Sequence, residues 1–234
     1  MATACVSARD TGPAGQAENL STAVPTLEDS LTEIRYLALG DSFTIGEAVP
    51  EAGRWPVQLA AMLREAGVKV EDPDILARTG WTTGELAAAI AASDFDTEYE
   101  LVSLLIGANN QFRGYALEDY RGEFAALVEQ AIDLAGGDPG RVIVLSIPDW
   151  GMTSFAERDA RSPAVITEEI AEFNRINREE SERIGVAYVD IFPISELAYD
   201  DPTLIAGDGL HPSAAQYALW AQAALPVVQG ILGR

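Results

Sequence analysis

One histidine, His211, occurs in the 234 residues. Any imidazole general base in this chain is therefore that residue. It lies in Asp208-Gly209-Leu210-His211-Pro212, three positions after a carboxylate. In a glycine-containing turn, Asp208 is close enough to accept a hydrogen bond from the ring. Far upstream, Ser42 follows Gly40-Asp41 at the end of the apolar run Ile34–Leu39. This puts a hydroxyl at a strand-to-helix turn. Acyl transfer needs a hydroxyl nucleophile, a base, a group that orients the base, and donors for an oxyanion. Ser42, His211 and Asp208 fit the first three roles. The backbone N–H of Ser42, the N–H of Gly80 in Thr79-Gly80-Trp81 and the side-chain amide of Asn109 in Gly107-Ala108-Asn109-Asn110 fit the last. Gly80 has no side chain to keep a substrate from its N–H. Each residue also has an ordinary reading. Ser42 suits a cap, Asp208 and His211 a turn before a helix, Gly80 a positive φ, and Asn109 a turn after a strand. Together, however, they fill every role of one mechanism.

The elements that must position these groups follow from hydrophobic patterning. Ile34–Leu39, a strand within 68–77, Leu101–Ile106, Val142–Ile147 and Val186–Val189 are short apolar runs that read as strands. Between them lie helical patterns. Trp55–Ala66 places Leu59, Met62 and Leu63 on one face. Thr82 with Glu85 forms a capping-box signature for a helix running to about Ala92. Glu118–Ala135 carries Tyr120, Phe124, Leu127, Val128, Ala131 and Leu134 on one side. Ser162-Pro163 opens a further helix. Pro212-Ser213 opens the last, which Pro226 is expected to kink or end. Strands and helices alternate about five times, which predicts a parallel sheet covered on both faces. In such sheets ligands sit beyond the carboxyl ends of the strands. Three of the four polar turns follow strands and the fourth opens the last helix, so all four can meet on one edge.

Composition narrows the partners. Fifteen Lys and Arg against 37 Asp and Glu give a net charge of -22. Such a surface repels phosphate backbones and anionic lipid, so nucleic acid and interfacial lipid are poor partners. Hydrophobic residues make up 48% of the chain, enough for a core without disulfide staples. One cysteine, Cys5, excludes an intramolecular disulfide framework. The single histidine and the lack of HExxH argue against a His-based metal site. No apolar stretch reaches membrane-spanning length. Residues 1–30 lack apolar periodicity and read as a flexible N-terminal tail, leaving 31–234 as one domain. As written, the chain reads as cytoplasmic. The alternative is a secreted lipoprotein anchored at Cys5, because Ala2-Thr3-Ala4-Cys5 before a polar linker resembles the end of a bacterial lipoprotein signal.

These blocks closely resemble those of the SGNH hydrolases, also called GDSL-type esterases and lipases. Leu39-Gly40-Asp41-Ser42-Phe43 is similar to the first block, Gly80 to the glycine of the second, and Gly107-Ala108-Asn109-Asn110 to the third. Asp208-Gly209-Leu210-His211-Pro212 is similar to the fifth. Four blocks occur in the right order from about residue 34 to the end. The resemblance implies a flavodoxin-like three-layer α/β/α sandwich with a five-stranded parallel sheet, and serine esterase activity. It also implies Ser42, Asp208 and His211 as the triad, and Ser42, Gly80 and Asn109 as the oxyanion hole. Phe43 replaces the family's usual Leu. Asn110 stands where the third block commonly has Asp, which removes a carboxylate that normally supports the turn. No Gly-x-Ser-x-Gly elbow is present, which disfavours an α/β-hydrolase.

The chemistry read here needs no metal or organic cofactor. Its partner is a small ester, with no nucleic acid. Phe43, Ile45, Trp81, Phe112, Trp150 and Met152 surround the candidate turns and are expected to line a compact acyl pocket. No long insertion resembles a lid, which favours short acyl or acetyl esters. Two alternatives stand beside this reading. One is a lysophospholipase- or thioesterase-like acyl hydrolase. The other is a ligand-binding module of the same fold without turnover.

Overall fold

Five parallel strands carry the candidate turns in a computed structural model that describes Met1, residues 33–95 and residues 98–233. Apart from Met1, the expected tail, with Cys5 and its lipoprotein-like start, lies outside the described residues. The strands are β1 (Tyr36–Gly40), β2 (Asp74–Ala77), β3 (Leu101–Leu105), β4 (Val142–Leu145) and β5 (Ala187–Val189). Their spatial order is β2-β1-β3-β4-β5, and every neighbouring pair is parallel. The helices are α1 (Ser42–Ile45), α2 (Trp55–Glu65), α3 (Thr83–Ala91), α4 (Ala108–Phe112), α5 (Leu117–Leu134), α6 (Pro163–Ile184), α7 (Phe192–Glu196) and α8 (Ala214–Ile231).

Helices cover both faces of the sheet, α2 packing on α8 and α5 on α3 and α6. The central strands are consequently buried along their whole length, as their unbroken apolar sequences require. Each Leu or Val fully buried there contributes about 1.5–3 kcal/mol relative to exposure. Edge strand β2 is only half-buried and begins with the exposed Asp74. After β1 the chain crosses to one side of the sheet; from β3 onward it builds the other. The reversal between β1 and β3 is the switch point at which such folds leave a crevice. There Gly40 is paired with both Ala77 and Leu105.

The expected capping box is present: Thr82 accepts the Glu85 N–H, and the Glu85 carboxylate accepts the Thr82 N–H at 2.8 Å. The last helix departs from expectation. α8 continues through Pro226 to Ile231 rather than ending there. Proline in a helix interior costs about 3 kcal/mol. Beyond it, buried Val228 and core-packed Ile231 extend the apolar face of the helix, and that packing outweighs the lost hydrogen bond. No helix among the described residues is long and apolar enough to cross a membrane.

Candidate active site at the β1–β3 switch point

Ser42 is the first residue of α1, directly beyond β1. The Asp41 carboxylate caps this helix, Oδ1 accepting the Phe43 N–H at 3.0 Å. A Cβ on Gly40 would lie 2.2 Å from Thr44 Oγ1 and 2.5 Å from the Leu105 carbonyl oxygen. Only glycine therefore lets α1 fold back so tightly over the end of β1. Ser42 is 5% exposed, and among the described residues its hydroxyl has no side-chain hydrogen-bond partner.

Asn109 comes from the end of β3. Gly107 turns the chain into α4 at a φ of +123°, where a Cβ would also meet the Tyr120 hydroxyl at 2.3 Å. Both amide protons of Asn109 are engaged. Nδ2 donates to the Trp81 carbonyl at 3.0 Å and to Asp41 Oδ2 at 3.2 Å. Next to it Asn110 is fully buried. Its Oδ1 accepts the Thr83 N–H at 3.0 Å, and its Nδ2 donates to Thr83 Oγ1 at 2.7 Å. An amide thus anchors this turn where a carboxylate was the expected support.

His211 lies in a loop closed by the antiparallel bridge between Ile205 and Pro212. Asp208 organises it. Oδ1 accepts the Leu210 and His211 N–H groups at 2.9 and 3.0 Å, and Oδ2 sits 2.6 Å from His211 Nδ1. Partial burial pushes the Asp208 carboxyl up. The imidazole and the two N–H donors more than offset this, holding it below the ordinary range. The His211 ring is buried against Phe43, with centroids 5.2 Å apart.

Ser42, Asn109 and His211 open on one cavity of about 120 Å³, completed by Phe43, Ala108, Phe112, Trp150, Phe155 and Leu210. Of the residues expected in an acyl pocket, Phe43, Phe112 and Trp150 are there. Trp150 is fixed by a 2.8 Å hydrogen bond from its indole N–H to Gln111 Oε1. Three expected residues are elsewhere. Ile45 lines a separate depression with Arg54 and Val57, because the single turn of α1 carries it away from Ser42. Met152 lines a groove of about 560 Å³ with Tyr199, Pro202 and Gly209. Trp81 packs its ring against the core and offers only its carbonyl, to Asn109. Gly80 has a φ of +87° and does not line the cavity; its carbonyl accepts from Arg113 at 2.6 Å. Among the described residues its N–H donates to no acceptor.

The sequence reading overlooked Phe155, Leu210 and Ala108 in the wall. Leu210 and Ala108 were legible as neighbours of His211 and Asn109. Phe155 had no signal, since it sits in irregular chain. Its N–H donates to the Gly209 carbonyl at 3.0 Å, which brings it to the cavity. Among the described residues no group of three or more His, Cys, Asp or Glu side chains is arranged to hold a metal ion.

Asp41, present in the first motif but given no role there, is the other omission. It is fully buried, and burial raises its carboxyl from the usual value to about 7, against the opposing hydrogen bonds from Phe43 and Asn109. The native state therefore binds this proton more tightly than the unfolded chain. Its contribution to stability is complete below about pH 4, declines as pH rises, and is lost above about pH 7. Urea midpoints of the wild type and Asp41→Asn, compared at pH 5 and pH 8, test this. The stability difference between the two proteins is expected to shift by about 3 kcal/mol in favour of Asp41→Asn at the higher pH. A difference that does not vary with pH would contradict it.

A three-layer sheet that gathers a serine, a histidine–aspartate pair and an amide at its switch point has the architecture of the SGNH type of hydrolase fold. The description "GDSL-like Lipase/Acylhydrolase family" matches residues 38–219, and the chain belongs to that family. No curated protein matches the sequence significantly. Solved structures share the fold at low identity. TesA is 19% identical, with a TM-score of 0.68 over 84% of this chain and 99% of that one. The psychrotrophic esterase EstA from Pseudoalteromonas sp. is 17% identical, with a TM-score of 0.65 over 86% and 100%. Axe2, an acetylxylan esterase from Geobacillus stearothermophilus, is 20% identical, with a TM-score of 0.62 over 85% and 95%.

Proposed function

We propose that this protein is a serine esterase that hydrolyses carboxylic esters with short acyl groups, using Ser42, His211 and Asp208. One observation carries the reading. Ser42 and His211 face the same small cavity, while the carboxylate of Asp208 holds the other ring nitrogen of His211 at 2.6 Å.

Asp208 keeps the proton on Nδ1 and leaves Nε2 as the base. With substrate bound, His211 takes the Ser42 proton as Oγ attacks the ester carbonyl. Catalytic pairs commonly tighten to hydrogen-bond distance only at that stage. The carbonyl π electrons move onto oxygen, and the Ser42 N–H and Asn109 Nδ2 on the cavity wall stabilise the oxyanion; the Gly80 N–H, outside that wall but without an acceptor among the described residues, turns in with substrate bound as the third donor. The oxyanion takes over the longer of the two Asn109 hydrogen bonds, the one to Asp41. Collapse of the intermediate breaks the ester C–O bond, and His211 gives its proton to the leaving alkoxide. Water, deprotonated by His211, then attacks the acyl-enzyme. The second collapse releases the carboxylic acid and returns the proton to Ser42.

The 120 Å³ cavity, walled by Phe43, Phe112, Trp150 and Phe155, supports a short acyl preference. Nitrophenyl esters of increasing chain length test it. kcat/KM is expected to be highest with acetate to butyrate. A maximum at long chains would instead favour a lysophospholipase- or thioesterase-like hydrolase. An organophosphonate should add mass to Ser42. Absence of both labelling and turnover would favour a non-catalytic binding module.

A further inference from the structure

Asn110 and Thr83 are both buried, and they belong to a chain of hydrogen bonds with a fixed direction. The Asn110 amide donates to Thr83 Oγ1 at 2.7 Å, and the Thr83 hydroxyl in turn donates to the Glu123 carboxylate on α5. An amide N–H can only donate and an ionised carboxylate can only accept. The one hydroxyl proton of Thr83 must therefore go to Glu123, leaving its lone pairs for Asn110. The same Asn110 also accepts the Thr83 backbone N–H, so both ends of its side-chain amide are used. Asn110 adjoins Asn109, whose amide reaches Asp41 beside Ser42.

We infer that Glu123 is a positioning residue for the esterase reaction: through Thr83 and Asn110 it holds the α4 turn that presents Asn109 to the cavity. The inference rests on the function proposed above. It makes positions 110 and 123 a matched pair. With aspartate at 110 and Glu123 unchanged, two acceptors would compete for one Thr83 proton: either the buried Asn110→Asp oxygen is left without a donor, or Thr83 turns to it, leaves the exposed Glu123 to solvent and cuts α5 from the turn. With glutamine at 123 as well, the chain can run in reverse. The new amide would donate to Thr83, and Thr83 would donate to the new carboxylate.

The test compares wild type, Asn110→Asp, Glu123→Gln and the double variant. It measures kcat and KM on nitrophenyl acetate, phosphonate labelling of Ser42, and the urea midpoint. Asn110→Asp is expected to lower kcat about tenfold with little change in KM. Glu123→Gln should lose less, since its amide oxygen can still accept. The double variant should recover to within about threefold of wild type, with its midpoint restored in parallel. A double variant no better than Asn110→Asp, or an Asn110→Asp variant with unchanged kcat, would overturn the inference. Failure of the esterase reading looks different: wild type itself would neither turn over nor label. The catalytic role of Glu123 would then fall too, while recovery of the midpoint in the double variant would still report the hydrogen-bond pairing.

Discussion

Ser42→Ala is expected to lower kcat on an activated acetate ester by about 10⁴- to 10⁶-fold, and His211→Ala by a similar factor. The double variant should lose little beyond either one. A nucleophile without its base and a base without its nucleophile are equally unable to open the acyl-enzyme route. What remains is binding and the oxyanion donors, which neither substitution removes. Folding should be spared in Ser42→Ala, because the hydroxyl has no side-chain hydrogen-bond partner among the described residues. An unchanged urea midpoint would separate loss of chemistry from loss of structure. Retention of most activity by purified Ser42→Ala would sink the assignment. Additive losses in the double variant would show that the two residues do not act as a unit.

Asp208→Asn is expected to lower kcat by about 10³- to 10⁴-fold while leaving the loop folded. The reason lies in how the two carboxylate oxygens are used. Oδ1 accepts two backbone N–H groups, from Leu210 and His211, so that position must remain an oxygen. The new NH₂ is forced to the Oδ2 position, where it would face His211 Nδ1. It can only donate there, which drives the ring proton to Nε2 and removes the base from the face that Ser42 needs. Asp208→Ala would lose the loop's backbone anchors as well and should lower the urea midpoint; Asp208→Asn should not. The phosphonate labelling rate of Ser42 gives a second reading and should fall with kcat. A kcat within tenfold of wild type would mean that the ring does not depend on Asp208 for its tautomer.

Much of the fold was legible because its signals are local and repeated. β1, β3 and β4 are unbroken apolar runs. α5 shows a full 3.6-residue stripe from Tyr120 to Ala131, and α3 announces itself through Thr82 and Glu85. The short helices α1 and α4 were not legible. With four and five residues they are too short for periodicity, and they form where Asp41 caps the chain and Gly107 turns it. Pro226 misled for the opposite reason, since a strong local rule was overridden by packing along α8.

From sequence alone came the inventory of the site: one imidazole with a carboxylate three residues before it, a serine after a buried strand, and an amide after another. Those assignments need only residue type and the position of a turn relative to its strand. Tertiary structure decided which neighbours share their cavity. Phe155 entered and Ile45 and Trp81 were left outside, because side-chain direction in a one-turn helix or an irregular loop depends on contacts made by distant chain. The burial of Asp41 and the pairing of Asn110 with Glu123 through Thr83 were decided at the same level. Both arise only when β1, α3, α4 and α5 are brought together, which buries Asp41, Asn110 and Thr83 and leaves Glu123 at the solvent end of the chain of hydrogen bonds.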